Sequence, residues 1–215
     1  MKVFLILFLL LTKGVTVGEE VVLPKPSIKG NVSLEEAIKN RRSIRNFSSK
    51  SLSLEQISQI LWSAQGITNN KGYRSVPSAG ATYPLEVFAL IVNEGIEQGL
   101  YKYQPEAHSL KLVLSGDLRQ SLAKSALNQN FIIQVPLNLI ITADFKKTTS
   151  HYGERGIMYV HMEVGHLGQN VYLQSVALGL GTVAVGAFRT EEVKKVLKLP
   201  SPLEPLYILP VGYPK

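Results

Sequence analysis

The stretch over residues 154–178 constrains the fold more than any other part of the sequence. It predicts one long helix that is apolar around most of its circumference. A helix of this kind needs other structure packed on several sides, so we expect it to lie in the centre of the molecule. Gly165 and Gly168 within it, and Gly179 at its end, indicate close approach of another backbone, because glycine otherwise weakens a helix.

The other predicted elements mix helices and strands without regular alternation. A serine followed three residues later by Glu or Gln forms a capping box, which predicts helices that start at Ser33 and Ser53. The first continues to about Asn40, and Gly66 ends the second. Apolar patterns predict strands over 85–92, 100–103, 110–114, 137–143, 182–188 and 206–211, and helices over 117–127 and 190–197. We therefore predict the α+β class, with a central mixed or antiparallel sheet flanked by helices.

Two stretches lack such patterns. Residues 66–84 are rich in Gly, Ser, Asn and Pro, which predicts a long loop, and a loop of this length in a compact domain is usually functional or disordered. Residues 19–31 contain Pro24, Pro26 and Gly30 and are interpreted as a linker. The predicted domain therefore covers residues 32–215.

Residues 1–18 have the layout of a secretory signal peptide. Lys2 gives a positive start, and a nine-residue apolar run is followed by small or β-branched residues as far as Gly18. The run is too short to span a bilayer comfortably, so we predict export to an extracytoplasmic space, with no stable membrane span after cleavage. A buried first strand, and hence a cytoplasmic protein, is the alternative. Whether the segment is cleaved or retained as an anchor is left open.

Composition excludes several classes of function. The sequence has no cysteine, which excludes disulfides and thiolate chemistry. Its formal net charge of +7 falls to +5 when Lys2 and Lys13 leave with the signal, since 21 basic residues then face 16 acidic ones. Nucleic-acid-binding proteins concentrate their basic residues on one face together with stacking aromatics, and this chain disperses them, so we expect no nucleic-acid partner.

One compact basic cluster stands out, in the segment RRSIRNF. It places Arg41, Arg42 and Arg45 around Ser43, and Arg41 and Arg45 would share a face if the preceding helix ran on. Guanidinium groups bind phosphate oxygens through paired hydrogen bonds, and a serine hydroxyl adds another donor. A solvated, cationic helix end is the alternative. The residues alone leave both interpretations open.

Other motifs argue against common chemistries. His161, Glu163 and His166 lie on the long helix, but their spacings do not match the zincin pair, and Glu-x-x-His occurs once where a di-iron bundle needs two copies. We predict no metal site there and interpret the three residues as hydrogen-bonding groups of a core or interface. The sequence also lacks the signatures of α/β-hydrolases, P-loop proteins and dinucleotide-binding Rossmann enzymes.

Five segments, taken in order, resemble the nitroreductase superfamily, and within it the branch of SagB/ThcOx-type flavin dehydrogenases. Each motif is modest, but five in the right order are specific. They run from about residue 33 to residue 214, nearly all of the chain after the predicted signal. The segments are RRSIRNF, LSLEQISQILWSAQGIT, PSAGATYPLEVF, YGERGIMYVHMEVGHLGQNVYLQSVALGLGTVAVGAF and LYILPVGYP.

The resemblance implies an FMN-dependent oxidoreductase that forms a homodimer with two flavin sites at the subunit interface. NAD(P)H would be the electron donor, and a small molecule the acceptor. The positions that match the family's flavin contacts are Arg41 and Ser43 at the phosphate, Arg42 beside them, Arg45 at the N1–O2 edge, Pro77, Ser78, Ala79 and Gly80 against the ring, and Val185 and Gly186 near N5 and O4. A cation at the N1–O2 edge suits the negative charge that reduction leaves there. No side chain is assigned as a catalytic acid or base.

The sequence departs from the family in two places. Many members carry a basic residue well beyond the G-Y-P segment, where this chain has only Lys215, so either Lys215 or another basic residue substitutes or the phosphate is held more weakly. Members that oxidise azolines use a Lys-Tyr pair, where this chain has His151 and Tyr152. A SagB-type peptide azoline dehydrogenase and a non-catalytic flavin-binding protein remain the alternative functions.

Overall fold

A seven-stranded sheet forms the framework of residues 20–215, the part of the chain that the computed structural model describes. Its spatial order is β1-β4-β3-β2-β5-β7-β6, and neighbouring strands all pair antiparallel. The predicted α+β class and sheet are thus confirmed, in the antiparallel form. The strands are β1 (Glu20–Val22), β2 (Leu85–Ile91), β3 (Gly99–Gln104), β4 (Ser109–Ser115), β5 (Leu137–Ala143), β6 (Gly181–Thr182) and β7 (Glu204–Gly212).

Both faces of the central strands are buried, which explains their continuous apolar sequences. In β5 the residues Leu137, Leu139 and Ile141 belong to one hydrophobic cluster, whereas Ile140 belongs to the other. This division follows from the strand's alternation, because successive side chains point to opposite faces of the sheet. Two cores therefore lie on the two sides of a single sheet.

Seven α-helices of the described part of the chain pack around this sheet. Helices α2 and α6 contribute buried residues to the larger core, and α3, α4 and α7 contribute to the smaller one. The helices are α1 (Leu34–Asn40), α2 (Leu54–Gln65), α3 (Arg119–Ser125), α4 (Phe131–Gln134), α5 (Phe145–Tyr152), α6 (Arg155–Ala177) and α7 (Thr190–Leu197). Within residues 20–215, none of these helices has the length and hydropathy of a membrane span.

The long helix α6 packs on one face of the sheet instead of being surrounded. Its buried stripe includes Val160, Val164, Leu167 and Val171. Met162, on the opposite side, is 50% exposed, and Ile157 near the start of the helix is 46% exposed. The sequence prediction of a long helix is confirmed, but a single chain covers only part of its apolar circumference.

Capping patterns in the sequence predicted the ends of two helices correctly. Ser53 and Gln56 form a complete capping box at α2, and Gly66 caps its other end. Ser33 accepts the Glu36 N–H at the start of α1. These ends depend on contacts within one turn of helix, which is why the sequence pattern predicts them.

The prediction of a strand over 182–188 was wrong. Only Gly181 and Thr182 form β6, and Val185 adds a single bridge to Ile208. The strand breaks because the Ala184 N–H donates to the Tyr172 hydroxyl (2.8 Å) instead of continuing the ladder. The helix predicted over 117–127 is also shorter than expected, and α4 and α5 were not predicted.

The segment interpreted as a linker, residues 19–31, contains a strand of the sheet. Strand β1 pairs with β4, and Leu23 just after it is buried. Its prolines and glycine suggested a linker, but its pairing partner lies about 90 residues later in the chain, which local composition does not reveal. The folded region therefore begins before residue 32. The predicted signal peptide lies outside the described residues.

Candidate functional site

The arginine cluster lies in an extended segment, not on a helix. Helix α1 ends at Asn40, and Ser43 forms a parallel bridge with Thr182 of β6. The shared helical face that the four-residue spacing suggested is therefore absent. An extended chain through residue 45 would place Arg41, Ser43 and Arg45 on one side of the segment, because alternate residues then point the same way.

Tyr172 connects this segment to the loop after β6. Its hydroxyl lies 2.9 Å from Ser43 Oγ and accepts the Ala184 N–H at 2.8 Å. The Arg41 guanidinium lies over its ring, 5.2 Å from the centroid. One side chain of α6 thus fixes the relative positions of two segments that the resemblance assigns to the flavin. The sequence analysis missed Tyr172, because it counted the residue only as part of the apolar helix.

The cluster carries uncompensated positive charge. Within residues 20–215, Arg41, Arg42 and Arg45 form no ion pair with a carboxylate. Arg42 is engaged locally, since its Nη1 donates to the carbonyl oxygens of Lys39 and Arg41. The Lys215 N–H donates to Asn46 O at 3.1 Å, which brings that lysine next to the cluster. Several unpaired cations beside hydroxyl donors form a site suited to a multiply charged anion.

The second predicted segment, residues 77–80, lies in a tightly turned loop. Gly80, Ala81 and Tyr83 all have positive φ angles, of 58°, 52° and 44°. The Tyr83 N–H donates to Ser78 Oγ, and the Arg74 guanidinium lies over the Tyr83 ring, which helps to hold this backbone. Non-glycine residues in this conformation store strain, and such strain tends to cluster at functional sites.

Helix α6 also anchors this loop from below. The Asn170 side-chain amide donates to the Ser63 and Ser75 carbonyl oxygens, which ties α2 and the loop to α6. At Gly80, a β-carbon would lie 2.6 Å from the Tyr152 hydroxyl, so a larger residue there would displace that side chain. The predicted long loop is therefore folded and held at several points.

Val185 and Gly186 form the third predicted segment. The Val185 N–H and carbonyl both bond to Ile208, which fixes the backbone of this segment. The Gly186 N–H has no hydrogen-bond partner in the described part of the chain. Gly186 also lines a cavity of about 330 Å³ together with His161 and Tyr207. A fixed backbone with an unused donor at a cavity is suited to recognising a heterocyclic ring.

The three predicted segments do not all lie together, because residues 77–80 contact a different part of α6 from the other two segments. The 41–45 and 184–186 segments meet at Tyr172, whereas Ser78 faces Glu163. Nine residues of helix separate Glu163 from Tyr172, which is about 14 Å along the axis and half a turn around it. One chain therefore offers two parts of a site on opposite sides of its long helix.

Glu163 is a buried acid beneath the loop. It is 3% exposed, and the Ser78 hydroxyl, the Gln65 amide and the Arg74 charge all face it. Burial raises the pKa of Glu163 from its usual value of 4.5 to about 7, although these three neighbours oppose the rise. Among residues 20–215, no cluster of His, Asp and Glu side chains is suited to a metal ion.

Known proteins share both the sequence and the fold. The model of the Nitroreductase family matches residues 38–213. A Methanocaldococcus jannaschii protein assigned provisionally as a nitroreductase, MJ1384, is 46% identical over 196 residues, which cover 91% of this chain and 98% of that protein. The chain belongs to the nitroreductase family.

Two solved structures are also similar to this nitroreductase-family protein. A crystal structure of a provisionally assigned nitroreductase from Ralstonia eutropha superposes with a TM-score of 0.82 and 26% identity, over 93% of this chain and 91% of that one. The Escherichia coli microcin synthetase McbBCD, solved with a truncated precursor peptide bound, superposes with a TM-score of 0.70 and 26% identity. That match covers 90% of this chain and 78% of the other. The family supports an oxidoreductase activity.

Proposed function

We propose that this protein is an FMN-dependent oxidoreductase in which two copies of the chain complete each flavin site. The main support is the arrangement at Tyr172, where unpaired arginines and Ser43 meet the loop that carries Gly186. Family membership supports the redox chemistry. The bound flavin would accept electrons from NAD(P)H and pass them to a small-molecule acceptor.

The residues present fit this cofactor at both of its ends. Arg41 and Ser43 would hold the phosphate, and the position of Lys215 beside Asn46 suits it to act as a further basic residue there. Arg45 would lie on the same side of an extended segment, where its charge would stabilise an anionic ring. The unused Gly186 N–H would face the flavin's polar edge. Arg42, whose guanidinium is engaged by carbonyl oxygens, would act mainly through its charge.

The separation of the two parts of the site supports the dimer. Residues 77–80 lie on the opposite side of α6 from Tyr172, so a second copy must supply this loop if one flavin is to contact both. The half-exposed Ile157 and Met162 on α6 would be covered in such an assembly. Light scattering should therefore give about twice the mass of one chain, and a monomer at all concentrations would contradict the two-copy site.

The deciding experiment is flavin binding to the purified protein. We expect a yellow protein that releases FMN when denatured, and NADH or NADPH should bleach it without oxygen. Replacing Arg41 by Ala should weaken FMN binding roughly 10- to 150-fold, the equivalent of about 1.5–3 kcal/mol for a hydrogen bond to a charged group. Arg45→Ala should instead lower the reduction potential and weaken binding of oxidised FMN less.

Arg189→Ala provides a control for these variants, because Arg189 is an exposed arginine just before α7 and is paired with Glu192. It should leave both the affinity and the potential unchanged. A colourless protein that does not bind added FMN would refute the proposal. Equal, small effects of the two cluster variants would show that the arginines are only a charged surface. Flavin that binds but is not reduced would favour a non-catalytic flavin-binding protein.

The similarity to the microcin synthetase complex supports one alternative substrate class. Peptide azoline oxidation can be tested directly, with a synthetic azoline peptide as the electron donor. Tyr152 lies next to Gly80 and would be the tyrosine of the Lys-Tyr pair that azoline-oxidising members use. The position of the lysine is occupied by His151. We expect no turnover by the natural chain. Azole formation by it would favour this alternative over reduction of a small molecule.

A further inference from the structure

The carboxyl group of Glu163 is buried without the partners that such groups usually have. Its Oε1 atom has no hydrogen-bond partner, and the same is true of Gln65 Nε2 beside it, among the residues that the structure describes. Both side chains are almost completely buried, at 3% and 1% exposure. The Ser78 hydroxyl and the Gln65 amide face the carboxyl, yet Gln65 Nε2 does not reach hydrogen-bond geometry. A buried acid in this state needs an explanation, because unsatisfied polar groups are rare in folded proteins.

Among the described residues, no cation forms an ion pair with this acid. Arg74, in the loop after α2, is the charged group that faces Glu163 from a neighbouring element. Its guanidinium is engaged elsewhere, by Gln65 Oε1 at 3.1 Å and by Glu106 at 3.3 Å. On α6 itself, the titratable neighbours are Tyr159, four residues before, and the exposed His166, three residues after. Without an ion pair, the neutral acid and the carboxylate are close in free energy near neutral pH.

Ser78 connects this acid to the proposed flavin site. Its Oγ accepts the Tyr83 N–H at 3.0 Å, so its hydroxyl hydrogen is available to point towards Glu163. The protonation state of Glu163 therefore decides whether Ser78 meets a carboxylate or a neutral acid. The same serine belongs to the strained turn whose residues would contact the ring.

We propose that Glu163 is a proton-binding positioning residue of the flavin site, and that binding of FMN is accompanied by uptake of one proton at its carboxylate. The proposal rests on the proposed function. A ring lying on residues 77–80 excludes water from the acid beneath them, and the ligand brings negative charge into the site. Both effects favour the neutral acid. The proton comes from solvent and adds to a carboxylate oxygen, and no electron is transferred in this step.

Calorimetric titration with FMN at pH 8 tests this directly. The FMN phosphate is already doubly charged at that pH, because phosphate monoesters have a second pKa of about 6. The phosphate therefore takes up no proton of its own. Titrations in two buffers with different ionisation enthalpies should show uptake of close to one proton per flavin. Above about pH 7 the affinity of the natural protein should fall by up to about tenfold per pH unit, until Glu163 titrates in the complex as well.

Glu163→Gln removes the titrating group while keeping its shape. It should abolish the proton uptake and flatten the affinity profile above pH 7. Glu94→Gln is a matched control, because it removes an exposed glutamate from the turn after β2, and it should behave like the natural protein. Equal proton uptake by Glu163→Gln and the natural protein would overturn the proposal.

A measurement on the natural protein keeps the test decisive if the variant does not fold. Addition of FMN at pH 8 should increase the infrared absorption of protonated carboxyl groups, and no increase would overturn the proposal as well. Failure of the proposed function is separate and recognisable. In that case the natural protein would bind no FMN at any pH.

Discussion

Two buried polar networks of this protein differ in how completely their atoms are paired. The first joins the N-terminal segment to the sheet through His108. Tyr103 Oη lies 2.8 Å from His108 Nδ1, and His108 Nε2 lies 2.7 Å from Ser58 Oγ. Ser58 donates in turn to the Pro24 carbonyl oxygen. A neutral ring with its proton on Nε2 satisfies every one of these contacts, with Tyr103 as donor to Nδ1.

The second network surrounds Glu163 and is incomplete. Glu163 Oε1 and Gln65 Nε2 are both buried and unpaired in residues 20–215. Arg74 links this network to the surface through Glu106. The comparison teaches that the two networks have different roles. The closed network at His108 fixes the N-terminal segment and has nothing left to offer a ligand, whereas the open one at Glu163 can still bind a proton beneath the proposed flavin loop.

The largest expected effect is a gain of stability at high pH in Glu163→Gln. Because the folded-state pKa of Glu163 is raised from 4.5 to about 7, its contribution is fully present below pH 4.5 and is lost as the pH rises through 7. The flavin-free variant should therefore be more stable than the natural protein by on the order of 3 kcal/mol at pH 8, and no more stable at pH 4. Urea unfolding at both pH values measures this difference. A destabilised variant at pH 8 would mean that the carboxylate is paired after all.

The next effect is a loss of stability in His108→Asn. Asparagine tolerates the positive φ of 47° at this position but does not reach the histidine's partners. The buried Tyr103 hydroxyl is then left without its acceptor, which should cost about 2 kcal/mol. Adding Tyr103→Phe to this variant removes the orphaned group and should restore part of the loss in a double-mutant cycle. Additive losses would show that the two side chains are not coupled.

Ser58→Ala should cost less, about 1 kcal/mol. His108 Nε2 lies 3.1 Å from the Pro24 carbonyl oxygen and can donate to it directly once the serine hydroxyl is gone. Thermal unfolding of the Ser58→Ala and His108→Asn variants measures the two losses of stability side by side. A larger loss in the serine variant would mean that Ser58, and not His108, holds the N-terminal segment.

The smallest effect is a local opening of the N-terminal segment in acid. Burial lowers the pKa of His108 below 6.5, against the opposing effect of the Pro24 carbonyl. The stabilisation is therefore complete above about pH 6.5 and is lost as the pH falls from there through the folded-state pKa. Hydrogen exchange at the Leu23 N–H, which donates to the His108 carbonyl oxygen, should accelerate at low pH relative to the intrinsic rate. His108→Asn should lack this pH dependence, which is opposite in sign to that of Glu163.

Much of the fold could be predicted from sequence where local patterns determine the structure. The predicted bounds of β5 and α7 agree with the structure, because each combines a strong apolar pattern with clear flanking signals. The long helix was also found. The strand over 182–188 was not predicted correctly, because a tyrosine hydroxyl from α6 replaces its ladder at Ala184. No local pattern contains that contact.

The candidate site divides in the same way. The sequence by itself determined the segments that carry the family resemblance, the three arginines with Ser43, and the glycines at positions 80 and 186, since these depend on the types and order of residues. Only the tertiary structure decided that Tyr172 joins two of these segments and that Glu163 lies buried beneath residues 77–80. The physical reason is that burial and hydrogen-bond pairing depend on elements far apart in the chain. The free energy of a charged or polar side chain is set by what those elements place around it.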